Sequence, residues 1–203
     1  MKMRISRIAL AVFAAVGAAA SQMAQAQQVS CTTTGCTTAG IGVVFNITIP
    51  GVLRFQVGDT SGATAPVVNW TTTVTTANIG DSIAQNPNSI TNPGTGASGN
   101  QVVYSLVSNW GGTNVTVAAA ATTANGPTCT TPATCGTTFI PWTEITRGNT
   151  GSLSNPAPGN STTAAYGGST INLSGFWTYQ YANTTVPLAG SYAGTVTYTA
   201  ADD

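Results

Sequence analysis

The chain reads as short runs of alternating apolar and polar residues, broken by clusters of Gly, Pro, Asn and Ser. Alternation of period two puts every second side chain on one face of an extended strand. It is cleanest in "IGVVFNITIPGVLRF" at 41–55, where Ile41, Val43, Phe45, Ile47 and Ile49 share a face. In "GSYAGTVTYTA" at 190–200, Tyr192, Gly194, Val196, Tyr198 and Ala200 fall on one side, with Ser191, Ala193 and three Thr on the other. Before it, "INLSGFWTYQY" aligns Ile171, Leu173, Gly175, Trp177, Tyr179 and Tyr181. A row of aromatics at this spacing reads first as a core face and only second as a sugar-stacking platform. The pattern predicts strands near 41–49, 52–57, 67–76, 102–108, 113–121, 137–146, 169–182 and 191–200, with the last two closing as a hairpin. The stretches 80–101 and 147–169 are crowded with turn residues and read as long loops. Long helical periods are absent, so the expected fold is all-β, an antiparallel β-sandwich of about eight strands.

The first residues add a compartment. "MKMRISR" is basic, "IALAVFAAVGAAA" is a short apolar run, and "AQA" at 24–26 supplies small residues for cleavage. Residues 1–26 therefore read as a secretory signal peptide, and 27–203 as one exported domain. The apolar run falls short of the roughly 20 residues that a membrane span needs, and no later segment is a candidate. Passage through the periplasm to the outside or the cell surface is the expected route.

Removing the signal takes away Lys2, Arg4 and Arg7, leaving Arg54 and Arg147 against five acidic side chains. Two cations cannot neutralise a run of phosphates, so nucleic acid and anionic lipid are poor partners. The chain contains no His, and no Lys beyond position 2. Nucleophile systems built on Ser-His-Asp, Cys-His or Ser-Lys therefore cannot be assembled in the exported part. Carboxylate chemistry would have to use Asp59, Asp81 and Glu144, which lie at loop or strand ends without a supporting motif. The chain is expected to be non-catalytic, without cofactor or metal.

Cys31 and Cys36 are close in sequence, as are Cys129 and Cys135. An even number of cysteines in an exported chain suggests two disulfides. Three pairings are open, and the two local ones are favoured, each closing a small loop and contributing about 2 kcal/mol. A metal site lacks both the Cys-x-x-Cys spacing and any His.

Residues 41–49 pose the main functional question. Extended, they span roughly 30 Å, enough to fill a groove along a sandwich. Burying five such side chains contributes roughly 8–15 kcal/mol, while ordering nine residues costs about 9–18 kcal/mol. Burial alone does not decide whether the strand serves its own sandwich or a neighbour's. The short connection through Pro50-Gly51 into "VLRFQV" favours a first strand kept by the chain. Donation from an N-terminal segment at 27–49 is the alternative.

The signal peptide, the Thr/Gly/Asn-rich strand pattern and the closing "VPLAGSYAGTVTYTA" resemble secreted pilin-like subunits of the chaperone–usher and spore-coat-U type. That resemblance implies an immunoglobulin-like sandwich, help from a periplasmic chaperone and an outer-membrane assembly protein, and assembly into a surface fibre. The expected role is a structural subunit of a filament or pilus, joined by strand complementation or edge pairing and serving adhesion or biofilm. The alternative is a secreted binding module that presents Trp70, Trp110, Trp142 or Trp177 to carbohydrate or another surface ligand.

Overall fold

The computed structural model describes residues 32–37, 42–59, 67–131 and 133–203. The chain divides into two units, Met1–Thr48 and Ile49–Asp203. In the first, the Cys36 N–H donates to the Thr33 carbonyl in a turn (3.4 Å), and residues 42–48 form no strand and are exposed. The strand expected over 41–49 is therefore not formed. Alternation specifies which side chains would share a face, but it does not supply a neighbour to complete the ladder. Ile41, Cys31 and the expected signal peptide at 1–26 lie outside the described residues.

The second unit is all-β, and every ladder in it is antiparallel. Its strands are β1 (Leu53–Val57), β2 (Asn69–Thr71), β3 (Ser89–Thr91), β4 (Gln101–Ser108), β5 (Asn114–Ala121), β6 (Thr128–Thr131), β7 (Ile145–Thr150), β8 (Ser161–Ala165), β9 (Ile171–Tyr181), β10 (Ser191–Ala193) and β11 (Val196–Asp202). One sheet has the order β1-β4-β9-β7 and a second the order β11-β5-β8, with two-stranded ladders β10-β6 and β2-β3 beside them. The inner faces of the two larger sheets share one apolar core. Tyr104, Leu106, Ile171 and Trp177 come from the first sheet, and Val115, Val117 and Ala164 from the second. Strict alternation in β4 and β5 places Tyr104, Leu106, Val115 and Val117 inward while Gln101, Ser105, Thr116 and Asn114 turn away.

Several sequence expectations shift. The aromatic row of β9 is core, with Trp177 fully buried and Tyr181 nearly so. It does not form a hairpin with the last strand, because β9 pairs with β4 and β7 whereas β11 pairs with β5. The run 191–200 breaks at Gly194-Thr195, where the chain leaves β10 and enters β11 in another sheet. A side chain at Gly194 would crowd Pro127 and the Trp142 ring. Within 67–76 only β2 is ladder-bonded, and of the strand expected over 137–146 only Phe139, in an isolated bridge to Thr128, and the first two residues of β7 are paired, with a short 3₁₀ segment at Trp142–Glu144 between them. The two expected loops contain β3 and β8, whose Ser- and Thr-rich sequences are masked by neighbouring turn residues.

Two ends can be distinguished. At the base, Ser108 of β4 faces both Leu53 of β1 and Ile171 of β9. At the loop end, Tyr181 of β9 faces Ile145 of β7 and bridges to Gln85. The 11 residues of β9 separate the two ends by roughly 35 Å.

Candidate assembly site

From Gly42 to Pro50 the chain carries no ladder, and every side chain is exposed. Val43, Phe45, Ile47 and Ile49, the described members of the expected apolar face, are 72–81% exposed. Four large apolar side chains at period two in water are costly unless something covers them. Within the second unit, the residues just before β1 are fixed at the base. Asn109 Nδ2 donates to the Pro50 carbonyl (3.0 Å), and Asn109 Oδ1 accepts from the Val52 N–H (2.6 Å). The Trp110 ring lies on Gly51, where an added Cβ would meet it at 2.8 Å. This close approach explains the glycine after Pro50.

The two larger sheets meet on one side through their edge strands. β1 ends the first sheet, β11 ends the second, and the two strands lie close to each other. Trp177 sits beneath them, with its ring centroid 6.2 Å from Phe55 of β1 and 4.9 Å from Tyr198 of β11. Inward side chains of the central strands, such as Leu106 and Val117, are fully buried. Their counterparts on the edge strands, including Leu53, Phe55, Tyr198 and Ala200, are only half-buried. The difference follows from position: a central strand is covered on both flanks and an edge strand on one. Along that side the outer backbone groups of β11 have no ladder partner among the described residues.

The opposite side is closed. There β7 and β8 are joined by residues 151–160, which carry Leu153 into the core at 0% exposure. The Leu153 N–H donates to Tyr104 Oη (3.2 Å), and its carbonyl accepts from Trp177 Nε1 (3.0 Å). On edge strand β7, Arg147 lies opposite Tyr179 in register, so its guanidinium stem follows the core-facing row. An inward-directed charge on an edge discourages another strand from adding there.

Between the sheets, nearer the loop end, the Tyr179 and Tyr198 hydroxyls are 3.1 Å apart, and Tyr198 donates to Asn155 Oδ1 (3.3 Å). Burial holds the Tyr179 hydroxyl well above the usual phenol range, and the adjoining Tyr198 adds to the effect. Burial also raises Tyr198.

The other sequence candidates are dispersed. Glu144 is buried, and its carboxylate accepts from both the Thr184 N–H and the Thr184 hydroxyl. Asp81 accepts from the Ile83 N–H and from Asn183 Nδ2, while Asp59 follows β1 beside Asn92. These bonds account for the carboxylates of Glu144 and Asp81 as structural acceptors. Of the four tryptophans, Trp177 is core, Trp70 and Trp142 are half-buried and Trp110 is exposed. Trp142 Nε1 donates to the Thr123 carbonyl (2.8 Å), so the four do not form a common platform. Cys129 and Cys135 are joined in a disulfide with Cα atoms 6.0 Å apart, as expected. Cys36 is also disulfide-bonded. No helix among the described residues is long and apolar enough to cross a membrane.

That β1 and β11 are edge strands was not apparent from sequence, because both alternate like any half-buried strand. The apolar residues Ile79, Ile83, Val186 and Leu188 were missed as well, since they stand singly in turn-rich segments. No family model matches the chain, and neither a curated protein nor a solved structure is similar to it.

Proposed function

We propose that the chain is a non-catalytic structural subunit exported through the periplasm to the cell surface, where copies join into a filament of pilus type serving adhesion or biofilm. The observation that carries this reading is the unpaired segment at 42–49, which displays Val43, Phe45, Ile47 and Ile49 to solvent. A strand donated by one copy would have to part β1 from β11 of the next, which lie close together, and would then cover Phe55, Trp177 and Tyr198. Its alternate side chains would enter the core and its backbone would satisfy the β11 edge. A pilin-like periplasmic chaperone and an outer-membrane assembly protein would protect and deliver such a subunit. The carbohydrate-binding alternative keeps one solvent-facing ring, Trp110.

The test compares the purified mature chain with a version lacking residues 27–49, using negative-stain electron microscopy and size-exclusion chromatography. Fibres from the full chain and folded monomers from the truncated one are expected. A monomeric full chain, with unfolding of the truncated form, would refute the proposal and return 42–49 to the chain's own fold.

A further inference from the structure

The space between the sheets near the loop end holds more hydrogen-bond donors than acceptors. Arg147 of β7 lies opposite Tyr179 of β9. Asn155 comes from the crossing at 151–160, and its Oδ1 accepts from the Tyr198 hydroxyl (3.3 Å). The Tyr179 hydroxyl is 3.1 Å from that of Tyr198. With the Tyr198 proton committed to Asn155, Tyr179 is the donor in that pair. Burial raises both phenols and the Arg147 charge offsets part of the rise in each, which places the guanidinium near both hydroxyls. Arg147 Nε and Asn155 Nδ2 are shielded from solvent, and neither has an acceptor among the described residues. These four side chains are thus left with three unmatched N–H bonds, one on Arg147 and two on Asn155, against one free acceptor, Tyr179 Oη. A buried donor without an acceptor is costly, and more so when it carries charge. Carboxylates of the chain are engaged elsewhere: Glu144 with Thr184, Asp81 with Asn183, Asp202 with Tyr166 and Asp203 with Thr116.

We infer that Arg147 and Asn155, backed by Tyr179 and Tyr198, form a binding site for a small carboxylate. The inference is independent of whether copies exchange strands. A carboxylate brings acceptors only, two oxygens in one plane, and a guanidinium fork takes both. The Asn155 amide adds a further donor, and the Tyr179 oxygen can receive its second N–H. A water molecule would bring two more donors to a place already rich in them. One guanidinium balances one negative charge, so a monoanion fits, whereas a phosphate dianion would lack a second cation. Arg147 is half-buried on an edge strand, so an ion approaches from the flank of β7. Once bound, it ties β7 of the first sheet to the crossing that leads to β8 of the second. A free ion such as formate and an Asp202 or Asp203 side chain of a second copy present the same group.

The test titrates sodium formate into the dilute mature chain, with sodium chloride at equal ionic strength as the control. Saturable shifts of the Arg147 Nε–H and Asn155 Nδ2–H resonances are expected with formate only. At about five times its dissociation constant, formate should raise the melting temperature by roughly 2–4 °C. Asn155→Asp supplies a carboxylate from within the chain, so it should melt at or above the unmodified protein and lose the formate response. Arg147→Lys keeps the charge without the fork and should weaken formate binding at least tenfold. Raising the protein concentration without formate separates the two sources. Shifts of the same resonances that vanish in Asp202→Asn with Asp203→Asn would assign the carboxylate to a second copy, and shifts that require formate would assign it to a free ion. A response to formate no greater than to chloride, with no dependence on protein concentration, would overturn the inference. So would a formate response that survives unchanged in Asn155→Asp or Arg147→Lys, or an Asn155→Asp chain that melts below the unmodified one.

Discussion

Replacing Phe45 with Ala should weaken assembly without weakening the folded subunit. The side chain is 80% exposed in the chain by itself. Deleting it there removes little packing, and a surface change of this kind stays within about 0.5 kcal/mol. For a chain of this size that corresponds to a melting shift of no more than about 2 °C. Seated in a neighbour over Phe55 and Trp177, the same ring would be fully desolvated. Burying a Phe side chain contributes about 1.5–3 kcal/mol, and deleting it from a packed site costs about 3–5 kcal/mol once the residual cavity is included. At 1.4 kcal/mol per tenfold, association should weaken by between about a hundredfold and a few thousandfold. Sedimentation velocity over a concentration series reads the association, and a thermal melt of the dilute monomer reads the fold. Unchanged assembly together with a melting temperature lowered by many degrees would refute the reasoning, because Phe45 would then be packing within its own chain.

Three further outcomes follow from the core. Leu153→Ala should cost about 2–5 kcal/mol by urea denaturation, since the side chain is fully buried and its loop is held by Tyr104 and Trp177; a loss under about 1 kcal/mol would mean that residues 151–160 do not close that side. Burial raises the pKa of both Tyr179 and Tyr198, so the unfolded chain loses these protons first. Stability is then fully present below the unfolded value near pH 10 and falls as pH rises from there through the folded values, by up to about 1.4 kcal/mol per pH unit for each tyrosine. Chemical denaturation at stepped alkaline pH checks this, and Tyr198→Phe should flatten the slope, whereas a slope insensitive to that change would exclude the assignment. Asn183→Ala removes the side-chain bonds to Asn78, Gly80 and Asp81 and should cost about 3 kcal/mol at roughly 1 kcal/mol per bond; hydrogen exchange should quicken at Gly80 and Ser82, and unchanged protection there would refute the bracing role.

Alternation made the central strands legible because it reports a local property, the side of the pleat on which each residue falls. β4, β5 and β9 emerged within one or two residues for that reason, as did the core role of Trp177 and Tyr181. Pairing is not local. Nothing in "INLSGFWTYQY" or "GTVTYTA" says that they belong to different sheets, so the expected closing hairpin failed. The same limit explains residues 42–49. Their pattern is as strict as that of β4, yet a strand is formed only where a ladder partner and an apolar face coincide. Short edge strands such as β8, with the sequence STTAA, carry too few apolar residues to stand out from the loops around them. The carboxylates were likewise visible as residues but not as tertiary acceptors, because Thr184 lies 40 positions from Glu144 and Asn183 lies 102 positions from Asp81.

The asymmetry between the two sides of the molecule ties these observations together. Both sheets have two edges, and any exposed edge can template another strand. On the β7/β8 side the chain spends ten residues, 151–160, crossing between the sheets, fills the core with Leu153 and lines the edge with Arg147. On the β1/β11 side no comparable crossing occurs among the described residues, and Phe55 and Tyr198 stay half-covered over the ring of Trp177. A fold that only needed to avoid unwanted pairing would protect both sides. Protecting one, while Val43, Phe45, Ile47 and Ile49 are displayed at period two, is the asymmetry that supports the proposed strand donation.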